Sequence, residues 1–397
     1  MLRIDEININ NINSITNLHL KFQPGVNILC GTNGIGKTTI LDCISSSFSR
    51  LTYFNRHIRK TVNSPEGSYS LTAIVDKQKS NYFFDIPDSV TINPTENINR
   101  IVSDKIIYHN ILSRQVRNYS PLRIDEDGGI RVISSYDLIK RWFYRCYFKK
   151  EKMSEEKFEN FLLAKEVFNK LDPQITFLKA TENIEDYRNK GEKKFVEILV
   201  KTPRGTINMD FLSSGYKACF CILLGIIRHI EERLNVSVES FDGIVMIDEI
   251  DLHLHPEWQT KIIDILKWLI PNAQVIITTH SPHVIQNAAQ GEIIPLGIDE
   301  NNRMFVRDLP QSSEYGYQGW TIEEILVQVM GLTDPRSKIF IEKLRTFEEA
   351  LNQENVEAIK ENYSALKSMI YHRNPLATLL RIQAEEFYDD DEKVENE

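Results

Sequence analysis

Eight residues, Gly31-Thr32-Asn33-Gly34-Ile35-Gly36-Lys37-Thr38, constrain this chain more than any other stretch. They spell a full G-x-x-x-x-G-K-T loop. Residues 26–30 before it read as a compact apolar strand, and residues 38–48 after it as a helix. In that arrangement backbone N–H groups turn inward around phosphate oxygens, with the positive end of a helix dipole behind them. Lys37 is then expected to reach β and γ phosphates, and the Thr38 hydroxyl to ligate Mg²⁺. Asn33, Gly34, Gly36 and Thr39 complete the expected phosphate contacts. The strand–loop–helix context makes a chance glycine-rich turn a poor alternative. The expectation is an α/β fold that binds ATP and Mg²⁺.

Downstream segments add groups of the right chemistry. Ile244-Val245-Met246-Ile247 reads as a buried strand ending in Asp248 and Glu249. The first acid suits Mg²⁺ and its water shell. The second stands where a general base could orient attacking water. Leu212-Ser213-Ser214-Gly215-Tyr216-Lys217 opens a helix, with Gly215 33 residues before Asp248. Thr278-Thr279-His280-Ser281 ends another apolar strand, with His280 32 residues after Asp248. Taken singly, the histidine would be structural and the Leu-Ser-Ser-Gly a plain helix cap.

Together, and in this order, the four segments resemble the ABC-type ATPase head, in the branch shared by SMC, RecF and OLD-like proteins. The resemblance covers roughly residues 1–295, including the alternating strands before Gly31. It implies a split phosphate-loop domain with antiparallel N-terminal strands, and two heads that sandwich two ATP molecules. Ser213 and Gly215 would contact the γ-phosphate held by the opposite subunit. Glu249 would activate water, His280 would sense the γ-phosphate, and Gln115 is the candidate for the remaining Mg²⁺ contact. Two departures stand out. Ser214 replaces a glycine of the transporter signature, and His255 stands where an aspartate is common. Both suit stand-alone ATPases better than transporter subunits. A zinc reading of His253 and His255 has no further suitably spaced ligand.

Composition bounds what remains. Lys plus Arg number 47 against 56 Asp plus Glu, a net charge of -9, which excludes a globally basic nucleic-acid binder. Five scattered cysteines form no disulfide framework. The longest apolar run, residues 218–227, is half of what a membrane span needs (~20). The N-terminus carries acids where a signal peptide would be apolar. The expected setting is cytoplasmic, with no membrane.

The chain is expected to divide into a head at 1–300 with an insert at about 87–175, a helical region at 301–384 and an acidic tail at 385–397. Within the head, 69–75 and 82–86 read as strands, 87–130 as irregular connections, and 136–150 and 154–171 as helices. Thr321-Ile322-Glu323-Glu324 fits a capping box, and Gly331 the stop of the helix it opens. The gap between phosphate loop and signature leaves no room for a long coiled-coil arm, and residues 321–397 show no nuclease pattern. The stretch from Gly319 to Arg336 is similar to the segment after the head in antiphage-defence ATPases of the Septu (PtuA-like) group. Those also occur beside some retrons and pair with an HNH nuclease. The resemblance thus implies a homodimer of heads or a higher homo-oligomer, controlling a separate HNH nuclease through the C-terminal helices. The alternative is a RecF-like DNA-binding ATPase of repair. Arg141, Arg145, Lys149 and Lys152 recur along one helical face opposite Ile139, Trp142, Phe143 and Cys146. That face is either a solvated surface or a stripe for nucleic acid or an acidic partner. Arg50, Arg56, Arg59 and Lys60 form a second cluster of the same ambiguity.

Overall fold

The first strand changes phase in mid-course. Leu2 and Ile4 alternate on even positions, then Ile7 and Ile9 on odd ones, and all four are buried. A bulge between Ile4 and Glu6 makes the switch possible by letting the strand skip a residue while keeping one face inward. The computed structural model describes residues 1–48, 57–62, 64–86, 103–109, 122–124, 132, 134–187, 191–301, 303–311, 313, 315–333 and 336–387.

Strands β1 (Leu2–Ile12), β2 (Ile15–Lys21) and β3 (Val26–Cys30) precede helix α1 (Lys37–Phe48). Then come β4 (Ser68–Val75), β5 (Gln78–Asp85), β6 (Ile106–His109) and β7 (Leu122–Ile124). Helices α2 (Ser135–Phe148) and α3 (Glu155–Leu171) are followed by β8 (Thr176–Tyr187), β9 (Gly191–Thr202) and β10 (Gly205–Asn208). The remainder of the head holds α4 (Ser214–Leu234), β11 (Ile244–Ile247), α5 (Pro256–Gln259), α6 (Ile262–Leu269), β12 (Gln274–Thr278) and α7 (Pro282–Gln286). Strands β13 (Ile293–Ile298) and β14 (Met304–Val306) and the short helix α8 (Ile322–Glu324) complete it.

A six-stranded sheet, ordered β14-β13-β3-β12-β11-β6, is parallel except for β14. Both of its faces are covered, which is why its strands are apolar without alternation. Val26, Ile28, Val245, Ile247, Val275 and Ile277 pack on the side of α4 and α6. Leu29, Ile244, Met246 and Ile276 pack on the side of α1 and the antiparallel sheet β2-β1-β4-β5. Strand β9 pairs with β8, β10 and β7 in a third sheet.

Three sequence expectations are corrected. Strand β6 lies within the stretch read as irregular; only four residues long, it carries too little pattern to stand out. Strand β5 starts at Gln78, because Asp76 and Lys77 take positive φ (47° and 72°) and turn the hairpin in two residues. The basic stripe ends with α2, since Lys152 belongs to a separate 3-10 turn, Lys150–Lys152. Arg50 and Arg56 lie outside the described residues, as does Gln115.

The chain divides at Leu332/Thr333 rather than at residue 300. Tyr317, Ile325, Val329 and Met330 are buried in the head's core, which carries residues 301–332 with it. The Thr321–Glu324 capping box forms, but α8 gives way to a π-helical turn, Ile325–Val329, and Gly331 takes φ +74° just past that turn. The second unit contains α9 (Lys338–Asn352), α10 (Val356–Met369) and α11 (Pro375–Glu385) around Phe347, Ile359, Leu366 and Leu380. Among the described residues no helix is long and apolar enough to cross a membrane.

Candidate nucleotide-binding site

The phosphate loop leaves β3 through glycines whose backbone would strain any other residue. Gly31 and Gly36 have φ of +145° and +106°. A Cβ on Gly31 would stand 2.6 Å from the Leu296 carbonyl oxygen, and one on Gly36 2.8 Å from the Met304 side chain. The chain is thereby bent tightly enough to aim Lys37 back over its own loop. Its ammonium donates to the Gly31 and Thr32 carbonyls, each at 3.0 Å. Burial pulls that ammonium below its ordinary pKa of 10.5, against the nearby Glu249, Asp248 and Asp251 carboxylates.

Parallel pairing of β11 with β12, and of β12 with β3, delivers the other groups to the same end of the sheet. Asp248, 1% exposed, accepts from the Thr38 hydroxyl at 3.0 and 3.2 Å and from the Thr278 hydroxyl at 2.7 Å. The Glu249 N–H donates to Thr278 Oγ1 at 2.7 Å. Glu249 has φ +46°, a left-handed conformation costing a side-chain-bearing residue about 1 kcal/mol. Such strain concentrates where function requires a particular aim. Asp251 Oδ1 accepts from the Thr279 hydroxyl at 2.5 Å and from the His280 N–H at 3.1 Å. Burial first, and then the Lys37 charge, push His280 below its ordinary 6.5, which keeps its imidazole neutral at pH 7.

The structure therefore brings Lys37, Thr38, Asp248, Glu249 and His280 together. Asn33 and Gly34 are exposed on the loop, and Thr39, in the first turn of α1, is buried. Ser213 caps α4 with its side chain exposed and in no capping hydrogen bond. Gly215 is buried; a Cβ there would stand 2.5 Å from the Trp258 ring and 2.9 Å from the His253 carbonyl. The signature is thus pressed against the turn following Glu249. Tyr216 packs against Trp258 with the rings tilted at 54° and their centroids 4.3 Å apart, and donates its hydroxyl to Asp172. His255 caps α5, accepting from the Glu257 N–H.

Sequence reasoning missed several supporting residues. Asn13, in the β1–β2 turn, donates to Thr39 Oγ1 at 3.2 Å and to the His57 carbonyl at 2.9 Å. Gln259 accepts from the Ser281 hydroxyl at 2.7 Å and donates to the Leu254 carbonyl at 2.9 Å. Only the left-handed tendency of asparagine in a tight turn hinted at the first.

Comparison with known proteins agrees with this geometry. Residues 26–286 match the family model described as "AAA domain, putative AbiEii toxin, Type IV TA system". An SMC head, solved bound to the C-winged helix domain of ScpA, superposes with a TM-score of 0.51 at 17% identity, covering 78% of this chain and 98% of that one. The Septu protein PtuA of Bacillus thuringiensis is 37% identical over 404 residues, 98% of this chain and 99% of that protein. The "Retron Ec83 probable ATPase" of Escherichia coli is 31% identical over 39% of this chain and 27% of its own length. Fold and site together define an SMC-like ABC ATPase head. Within that class, the end-to-end match is decisive: the chain belongs to the Septu PtuA family.

Proposed function

We propose that this chain is the ATP-hydrolysing subunit of a cytoplasmic antiphage defence system and that it controls a separate HNH nuclease. The observation that carries the ATPase half is the meeting of the Thr38 hydroxyl with the Asp248 carboxylate, 210 residues apart in sequence, at 3.0 Å beside the phosphate cradle. One hydroxyl and one carboxylate are hard oxygen donors that suit Mg²⁺, which keeps several waters and shares phosphate oxygens. When bound, Mg²⁺ neutralises charge developing on the β and γ phosphates. Gln115 stays the proposed further ligand.

The chain's own groups divide the work. Lys37 exchanges its two carbonyl partners for phosphate oxygens, and Asn33, Gly34, Gly36 and Thr39 line the cradle. Glu249, aimed by its left-handed backbone, accepts the proton of the attacking water. Neutral His280, held by Asp251, donates toward the γ-phosphate. Ser213 and Gly215 act in trans, so two heads pair around two ATP molecules and each hydrolyses ATP to ADP and phosphate.

The defence half is supported by the full-length likeness to Septu PtuA, with the helices after Thr333 as the docking region for the nuclease. The test is affinity purification of Glu249→Gln from its host with MgATP, with Lys37→Ala as the nucleotide-free control. An HNH protein at fixed ratio, lost in the control, supports the reading. Nucleic acid with repair proteins and no nuclease would replace it by the RecF-like repair role.

A further inference from the structure

The turn carrying the signature is tied to the insert by buried charge. Lys140 of α2, 3% exposed, donates to both carboxylate oxygens of Asp210, at 3.0 and 3.1 Å. It also lies 3.3 Å from Asp137 Oδ1. Asp210 stands three residues before Ser213 and is itself buried. The Tyr136 hydroxyl, on the same helix, donates to the neighbouring Met209 carbonyl at 3.1 Å. Lys217, buried in the first turn of α4, directs a second positive charge toward Asp210. Two carboxylates and two ammonium groups thus lie beneath a loop whose Phe211, Ser213 and Ser214 are exposed.

Stability alone does not account for this cluster. Desolvation offsets most of the attraction in a buried ion pair, and well-packed apolar residues hold helices together equally well. What the buried contact adds is place: Asp210 cannot leave Lys140 without stranding a charge away from water, so the loop after it is held where the ammonium stands.

We propose that Lys140 is a positioning residue for the composite nucleotide site: through Asp210 it holds Ser213 and Gly215 in the pose that meets the γ-phosphate bound by a second copy. This rests on the reading above that the signature acts in trans. A displacement of α2, whose outer face carries Arg145 and which Lys149 terminates, then reaches the hydrolytic site through one buried contact.

The test uses the full chain and three variants: Lys140→Met, Lys140→Met with Asp210→Asn (which leaves no unpaired charge at Asp210), and Asp137→Asn. Asp137→Asn disturbs the same cluster and the α2 capping box without touching the signature turn. Binding of a fluorescent ATP analogue, kcat, KM and thermal melting are measured. Both Lys140 variants are expected to bind the analogue within about twofold of the parent, while kcat falls about tenfold at little-changed KM. Asp137→Asn is expected to melt earlier yet keep kcat. An unchanged kcat in the folded double variant overturns the proposal, as does an equal kcat loss in Asp137→Asn. Mixing Lys37→Ala with Ser213→Arg chains separates the two levels. Failure to regain hydrolysis sinks the trans reading and this proposal together; recovery alongside intact kcat in the Lys140 variants sinks this proposal only.

Discussion

Thr38, Asp248, Thr278 and Glu249 hold one another within a single chain through contacts of 2.7 to 3.2 Å, and Lys37 is satisfied by its own loop. Ser213 and Ser214, on the signature, are exposed, and Ser213 caps nothing with its side chain. The first region is a finished network, positioned by the parallel sheet. The second is a finished support beneath an unfinished surface: Gly215 is locked against Trp258 and Asp210 against Lys140, while the residues on top face outward. A polar group left exposed above a rigid base is what a site completed by a second copy requires, and the contrast predicts which substitutions act in cis and which in trans.

The largest expected effect lies in the first region. Glu249→Gln keeps the N–H contact to Thr278 and the side-chain volume but removes the proton acceptor, so hydrolysis should fall about 100-fold or more with nucleotide binding retained. Single-turnover rates measure it, and normal turnover would break the assignment of the base. In the second region, Ser213→Arg puts a bulky cation on an exposed position, so the melting temperature should hold while hydrolysis is lost. A one-to-one mixture with Lys37→Ala contains pairs with one intact composite site and should regain activity that neither chain has alone. No recovery would erase the distinction between the regions.

The finished region was also the more legible in sequence, for a physical reason. Phosphate binding by backbone N–H groups needs glycine at fixed places, so Gly31, Gly36, Lys37 and Thr38 announce themselves within eight residues. Asp248 is legible because it ends an apolar strand that can only be buried on both faces. Supports drawn from distant segments leave no such local mark. Lys140 sits on a helix whose apolar face was readable, but its burial depends on Asp210, 70 residues away. Asp251, Gln259 and Asn13 each act through two or more hydrogen bonds to other segments of the chain, which no local pattern marks, and β6 was too short to show a period. The division at Leu332 depends on where Tyr317 and Ile325 pack, which spacing alone does not specify.

A smaller effect tests how rigid the support of the signature is. Gly215→Ala places a methyl where Trp258 and the His253 carbonyl already stand, and overpacking of this kind costs about 1–3 kcal/mol. Chemical denaturation reads the loss. Gly215→Ala combined with Trp258→Phe, which trims the ring, should recover part of it; no recovery would mean that the backbone contact to His253 dominates.

The last effect appears only as pH changes and concerns Asp42, beneath the first region on α1. Burial pushes its carboxyl up from 3.8 to about 6, although the Tyr108 hydroxyl donates to it at 3.0 Å and opposes the shift. A carboxyl whose folded pKa is raised binds its proton more tightly in the folded state than in the unfolded one. Its contribution is therefore full below pH 3.8 and is lost as pH rises through about 6. At pH 7 the ionised group is a burden on the fold, of about 3 kcal/mol from a shift of this size. Asp42→Asn keeps an acceptor for Tyr108 and cannot ionise. It should stabilise the chain at pH 7, gain little at pH 3.5, and flatten the slope of stability between about pH 4 and 6. The charge also lies near Asp248, and like charges raise one another's cost. The stabilised variant should therefore hold Mg²⁺ with ATP no more tightly than the parent, and more weakly if Asp42 contributes to the field that attracts the cation. A stabilised variant with unchanged Mg²⁺ dependence would confine Asp42 to folding; a gain no larger at pH 7 than at pH 3.5 would show that water reaches the carboxylate and that the first region is less closed than its hydrogen bonds imply.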